Sequence, residues 1–191
     1  MLSRRNPFPD NIRDGRVMIF IDGENLSIRY GEMLNGNEPN RHVNYLKDIY
    51  VWSHFLNFKS HRTCEVIRKY YYTSATGDFD KLNGITNDLK GIGIEAPRVF
   101  KKAKARGSKR VDISLSVDML THASRKNYDV AVLVAGDEDY TPLVDAVMAG
   151  GRRVCLWFLE KGLSPVLKNR VDHYFSLEHV LFDENADKHY S

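Results

Sequence analysis

The segment RVMIFIDG, residues 16 to 23, is an unbroken apolar run that ends in Asp-Gly. Such a run predicts a strand buried on both faces of a parallel sheet, with Asp22 at its carboxyl end. From Val43 to Phe58, apolar and aromatic residues recur at mixed three- and four-residue spacings, which predicts a helix packed on that sheet. A strand is expected over residues 63 to 73, then a helix near Phe79 to Lys90, stopped by Gly91 and Gly93. Residues 94 to 100 read as a short strand whose Pro97 favours an edge position. The clearest strand, DVAVLVAGDED at 129 to 139, is again apolar until it ends in acids. TPLVDAVMAGG predicts a helix with Pro142 in its first turn and Gly150 and Gly151 at its end. A strand over 152 to 159, a short helix near Leu163 to Asn169 and a strand near Asp172 to Phe175 complete the pattern.

Alternating strands and helices point to an α/β fold with a central, mainly parallel sheet and helices on both faces. One segment conflicts with itself. In VDISLSVDML, residues 111 to 120, apolar and polar positions alternate as in a strand. The segment must nevertheless carry the chain between two parallel strands, and such crossovers are helical as a rule. A helix is therefore expected, with Ser108 available as its cap and Asp112 in its first turn, where the helix dipole favours a negative charge.

Length and composition add bounds. The 191 residues, 42% of them hydrophobic, suit one well-filled domain. The expected division is a polar tail over 1–14, a domain over 15–182 and a polar tail over 183–191. No apolar run approaches the roughly 20 residues needed to span a bilayer, and the start lacks a secretory apolar stretch, so a cytoplasmic protein with no membrane partner is expected. Cys64 and Cys155 lack metal-ligand spacing and read as buried thiols, and the seven histidines are scattered. An oligomeric state cannot be read from these features.

Asp22, Asp137 and Asp139 all fall at the carboxyl ends of strands, where open α/β sheets bind ligands. Three carboxylates in one crevice repel each other unless a cation neutralises them. Oxygen donors without His or Cys suit Mg²⁺ or Mn²⁺, ions that activate water and offset charge in phosphodiester hydrolysis. Each acid has a plainer reading as a helix cap, and Asp139, ahead of Thr141 and Pro142, is a good candidate for that role. The formal charge is only +3, but KKAKARGSKR at 101 to 110 gathers Lys101, Lys102, Lys104, Arg106, Lys109 and Arg110 without an acid. Beside the acids, these residues could hold a nucleic-acid backbone. Tyr70, Tyr71 and Tyr72 could stack on bases, but in a strand they are expected to divide between core and surface.

FIDGEN (20–25), SKRVDISLSVDML (108–120) and VAGDEDYTPLV (134–144), in this order, resemble the NYN domain family of the PIN-like nuclease superfamily. The resemblance spans about Arg16 to Leu181. It implies a three-layer PIN-like sandwich, dependence on Mg²⁺ or Mn²⁺, and RNA, single-stranded by expectation, as substrate. It also implies that Asp22, Asp112, Asp137 and Asp139 are the catalytic metal ligands and that Asn25 orients substrate or water. Asp118 also has a family-like counterpart, but on a helix it points about 120° away from Asp112, which makes it a supporting residue. The chain departs from the pattern at Ala135, where a hydroxyl residue is usual, at Arg110, which replaces a Gly, and at Tyr140, which replaces a Phe and reads as the mildest change. The expected activity is a metal-dependent endoribonuclease. The alternatives are a catalytically weak or inactive RNA-binding module and, less favoured, a phosphohydrolase with Asp22 as nucleophile, which expects an Asp where Glu24 stands.

Overall fold

Arg16–Asp22 forms β1 in the middle of a sheet, and its side chains alternate between two separate cores. Val17, Ile19 and Ile21 enter one, Met18 and Phe20 the other. The run is apolar throughout because neither face meets water. The structure, a computed structural model, describes residues 7–8, 15–61, 64–102 and 109–184. After β1 come α1 (Gly23–Leu34), β2 (Val43–Leu46), β3 (Tyr50–Ser53), β4 (Ser60–His61), β5 (Cys64–Ala75), α2 (Phe79–Gly91), β6 (Ala96–Lys101) and α3 (Lys109–Ser124). The chain continues through β7 (Val130–Val134), α4 (Thr141–Ala149), β8 (Arg153–Phe158), α5 (Pro165–Arg170), β9 (His173–Ser176) and α6 (Glu178–Phe182).

Among the described residues, β6, β5, β1, β7, β8 and β9 run parallel in that order, and β4 adds a short antiparallel pairing to β5. The pairing of β1 with β5 slips by one residue between Val17 and Met18, where Ile67 is left over as a bulge. Helices α1, α2 and α6 bury Leu26, Tyr30, Ile85, Leu89, Val180 and Leu181 in the first core. Helices α3, α4 and α5 bury Val111, Leu115, Met119, Val144, Val147 and Leu167 in the second. This is the expected three-layer sandwich. The chain steps outward from β1 to β5 and β6, then returns to lay β7 on the other side of β1. Strand order therefore reverses between β1 and β7, which opens a crevice at their carboxyl ends.

Segment 109–124 is helical, as the crossover requires, and its strand-like alternation leaves a mark. Val111, Leu115 and Met119 are buried, while Ile113 and Val117 remain 61% and 55% exposed. Ser108, the expected cap, lies outside the described residues.

The expected helix over Val43 to Phe58 is not formed. Two short antiparallel strands pair there, Val43 opposite Ser53 and Leu46 opposite Tyr50, and a 3₁₀ turn follows at His54–Leu56. Asp48 takes φ +57°, a left-handed turn conformation that Asp tolerates, and β-branched and aromatic residues on either side favour strands. The hairpin lies against α1, a helix absent from the sequence reading, whose apolar Leu26, Tyr30 and Leu34 face inward. Strand β7 stops at Val134, and the acids beyond it lie in a loop and a 3₁₀ turn, Glu138–Tyr140. Part of the N-terminal segment read as a polar tail is docked: Phe8 is buried between Phe58 and Trp157, and Trp157 Nε1 donates to the Pro7 carbonyl at 3.0 Å.

Candidate active site

Asp22 is the last residue of β1 and the N-cap of α1, its Oδ1 accepting the Asn25 N–H at 3.0 Å. By the alternation of β1 it faces the same side as Met18 and Phe20, toward α3. There its Oδ2 accepts the Tyr140 hydroxyl at 2.9 Å, and the same hydroxyl lies 3.2 Å from Asp112 Oδ1. A phenol has one proton, so two ionised carboxylates cannot both receive a full hydrogen bond from it. Both bonds are complete only when one of the two carboxyl groups carries a proton. Burial pushes Asp22 up to about 7, against the lowering effect of the Asn25 and Tyr140 donors, and the charges of Asp112 and Glu24 add to the rise. Asp112 is also raised, chiefly by burial, and it feels the charges of Asp137, Glu24 and Asp139. Tyr140 is thus not the mild departure that the sequence suggested.

Asp137 and Asp139 are exposed at the mouth of this crevice. Asp139 does not cap the helix after it; Asp137 caps the preceding 3₁₀ turn, its Oδ1 accepting the Asp139 N–H at 3.1 Å. Helix α4 starts without a side-chain cap, and the Asp139 carboxylate accepts no hydrogen bond among the described residues. Asn25 turns its Oδ1 to the Gly136 N–H at 3.0 Å, tying the first turn of α1 to the loop after β7. Asp118 lies apart from the four acids: it accepts the Tyr72 hydroxyl at 2.8 Å and faces Arg98.

Glu24 was missed as a site residue. It is buried, receives the Ser74 hydroxyl at 2.7 Å and is paired to Lys102 Nζ at 2.6 Å. Its position between Asp22 and Asn25, in the first turn of a helix that starts at the strand end, was the available signal. Lys102, expected to contact nucleic acid, is therefore already engaged with an acid. Lys101, Lys109 and Arg110 are exposed on the same flank, with Arg110 over the Phe100 ring at 5.0 Å, while Lys104 and Arg106 lie outside the described residues. Tyr70, Tyr71 and Tyr72 are all buried, so none offers a stacking surface. Ala135 is buried in the second core.

The donor set is hard oxygen only, which suits a divalent cation of the Mg²⁺ or Mn²⁺ kind. Among the described residues no three acidic, His or Cys side chains converge tightly enough to enclose an ion as they stand. Of the four, Asp137 and Asp139 are the exposed ones. A cleft of about 610 Å³ lies elsewhere, between the end of α1 and Phe182.

A model of the NYN domain matches residues 16–178 of this chain. The chain belongs to the NYN domain family. NYN domains share the PIN-like nuclease fold, are in general nuclease-like and generally use divalent metals. This NYN domain is 24% identical over 178 residues to the low amplitude and bright protein LabA of Synechococcus elongatus, covering 88% of this chain and 87% of that one. It also resembles the crystal structure of a protein of unknown function, VPA0982, from Vibrio parahaemolyticus. That match has a TM-score of 0.63 and 19% identity, and covers 92% of this chain and all of the other. This second likeness is one of fold. No helix among the described residues is long and apolar enough to cross a membrane.

Proposed function

We propose that this NYN domain is a divalent-metal-dependent endoribonuclease that hydrolyses RNA at the crevice outside β1 and β7. The observation that carries the proposal is the meeting of Asp22 and Asp112, from a strand end and a facing helix, on one buried hydroxyl, with Asp137 and Asp139 at the mouth. Asp22, Asp112, Asp137 and Asp139 would hold Mg²⁺ or Mn²⁺, which when bound activates water and offsets charge on the transferring phosphate. The chain's own residues do the positioning. Asn25 fixes the 136–139 loop against α1, Tyr140 holds Asp22 and Asp112 at a set separation, and Lys101, Lys109 and Arg110 supply positive charge for the RNA backbone. Lys102 keeps Glu24 in place beside Asp22.

The test is incubation of labelled single-stranded RNA with purified protein in Mn²⁺, in Mg²⁺ and in chelator, beside Asp137→Asn. Cleavage that needs the metal and is lost in the variant is expected. Cleavage in chelator at the same rate rejects the proposal. A second reading, an RNA-binding module without catalysis, is favoured by the Tyr140 hydroxyl, which occupies the space between Asp22 and Asp112. Binding without cleavage under every metal would establish it.

Tyr140→Phe distinguishes the hydroxyl's two effects. Without it two carboxylates face each other with no donor between them, and stability in chelator should fall by about 1–2 kcal/mol. The rise in Tm caused by Mn²⁺ should become larger than in the wild type, because the ion replaces a lost hydrogen-bond donor. Thermal denaturation with and without Mn²⁺ measures both, and an unchanged metal response would show that the hydroxyl does not compete with the ion.

A further inference from the structure

On the β8 side of the acids, a polar cleft of about 290 Å³ opens between α1 and the loops after β7 and β8, lined by Asn25, Arg29, Asp137, Glu138, Gly162 and Ser164. Its size lies near the lower limit for ligand clefts, roughly 300–1,000 Å³, and suits one nucleoside better than a large cofactor. Asp137 belongs to both the cleft and the acid cluster, so whatever enters the cleft abuts the reaction site.

The walls are fixed while several of their hydrogen-bonding groups lack partners. Arg29 lies one helical turn beyond Asn25. Its stem passes over Gly162, where φ is +85° and an added Cβ would stand 2.7 Å from Arg29 Cδ and Nε. Its Nη1 is held by both oxygens of Glu32, at 3.0 and 3.2 Å, but its Nε is buried with no hydrogen-bond partner. An orphaned buried donor is costly, and the Nε–Nη2 edge of a guanidinium matches two oxygens of a phosphate. Glu138 Oε2 receives the Ser164 hydroxyl at 3.2 Å, which orients the carboxylate and leaves Oε1 open to accept from a sugar hydroxyl. The Asn25 side-chain NH₂ also has no partner among the described residues.

The sheet gives this cleft a direction. The exposed basic residues Lys101 and Arg110 stand at the β6 side, the acids at β1 and β7, and the cleft at β8. From β6 to β8 is four strand spacings, about 19 Å at roughly 4.8 Å each. A few nucleotides of extended chain cover that distance.

We propose that the Arg29–Glu138 cleft seats one ribonucleotide flanking the scissile phosphate, with Arg29 on its phosphate and Glu138 accepting from its ribose hydroxyl. The inference rests on the reading of the acid crevice as the place where RNA is cut. Arg29 and Glu138 are substrate-positioning residues, and Glu138 gives the site a preference for RNA over DNA.

The test measures binding of a fluorescein-labelled seven-nucleotide RNA, and of the same DNA sequence, in chelator at low salt. Arg29→Met, which keeps the stem over Gly162, should weaken RNA binding roughly tenfold, as expected for one charge-assisted contact. It should also reduce the slope of log affinity against log salt by about 0.7. Glu138→Gln should leave DNA binding unchanged and remove most of the preference for RNA. Glu32→Gln, which only releases Nη1, should leave RNA binding at or above the wild-type level. The inference is overturned if Arg29→Met binds as the wild type does, if Glu32→Gln weakens binding equally, or if the wild type does not distinguish RNA from DNA. In Mn²⁺, Arg29→Met should raise KM with little change in kcat. Arg29-dependent binding without any cleavage would retain the cleft and reject the nuclease reading. Cleavage with KM unaffected by Arg29→Met would do the reverse.

Discussion

Asp22→Asn should abolish metal-dependent cleavage and yet yield a more stable protein. Removing one ligand from a site that must stabilise several kcal/mol of transition-state charge costs roughly a thousandfold in rate, at 1.36 kcal/mol per tenfold. The gain in stability comes from the same burial. A carboxyl group moved from 3.8 to about 7 on folding disfavours the folded state by about 4 kcal/mol once it is ionised. The folded protein holds this proton more tightly than the unfolded chain does, so in chelator stability falls as pH rises from about 4 to about 7 and then levels off. Asn in this place has no charge to desolvate. Its carbonyl still accepts from Asn25 N–H, and its NH₂ faces the Tyr140 oxygen, whose proton then goes to Asp112. At pH 8 in chelator the variant should exceed the wild type by about 2–4 kcal/mol, or roughly 5–15 °C in Tm for a chain of this length. Below pH 4 the difference should vanish. Thermal scans across pH decide the matter, and parallel pH profiles for the two proteins would mean that Asp22 is not the buried acid described here.

Gly23→Ala should be the most damaging small substitution in the chain. An added Cβ would lie 1.8 Å from Tyr71 Cε1, and the ring cannot swing aside. Tyr71 is fully buried and its hydroxyl is fixed at both lone pair and proton, accepting from Val51 N–H at 2.9 Å and donating to Val51 carbonyl at 3.2 Å. Overpacking against a pinned ring should cost about 3 kcal/mol, the upper part of the usual range. Asp22, one residue before, would move with the backbone, and metal-dependent activity should fall with stability. A double-mutant cycle isolates the cause: Tyr71→Leu is destabilising alone, but in that background Gly23→Ala should cost under about 1 kcal/mol. Equal costs in both backgrounds would place the strain elsewhere.

These two neighbours show what a single sequence exposes. Strands β1 and β7 are legible because burial on both faces writes itself as a continuous apolar run, and their ends locate Asp22 and Asp137. The segment after β6 reads as a strand by periodicity and as a helix by connectivity. Connectivity prevails because no parallel neighbour is reachable without a crossover, and Ile113 and Val117 are left in solvent as a result. The hairpin from Val43 to Ser53 was hidden by mixed spacing, since its turn depends on one residue, Asp48, in a left-handed conformation. Contacts of long sequence separation leave no local trace at all. Tyr140 reaches Asp22 across 118 positions and Lys102 reaches Glu24 across 78. A motif comparison could register the Phe-to-Tyr difference, but not where the extra oxygen would point.

The leftover Ile67 in β5 acts as a phase shifter for the whole site. Upstream of it, the even-numbered Cys64 and Val66 face the core beneath α1; downstream, that core receives the odd-numbered Tyr71 and Ala75. Tyr70 and Tyr72 are thereby sent to the other side, where Tyr72 holds Asp118, and Tyr71 is left to meet Gly23. An insertion of one residue between Ile67 and Tyr70, with the bulge kept, would alter no acid and touch no part of the crevice. It would nevertheless exchange the tyrosines between the two cores, so the parity of a distant stretch of strand governs whether the acids stand over a fitted floor.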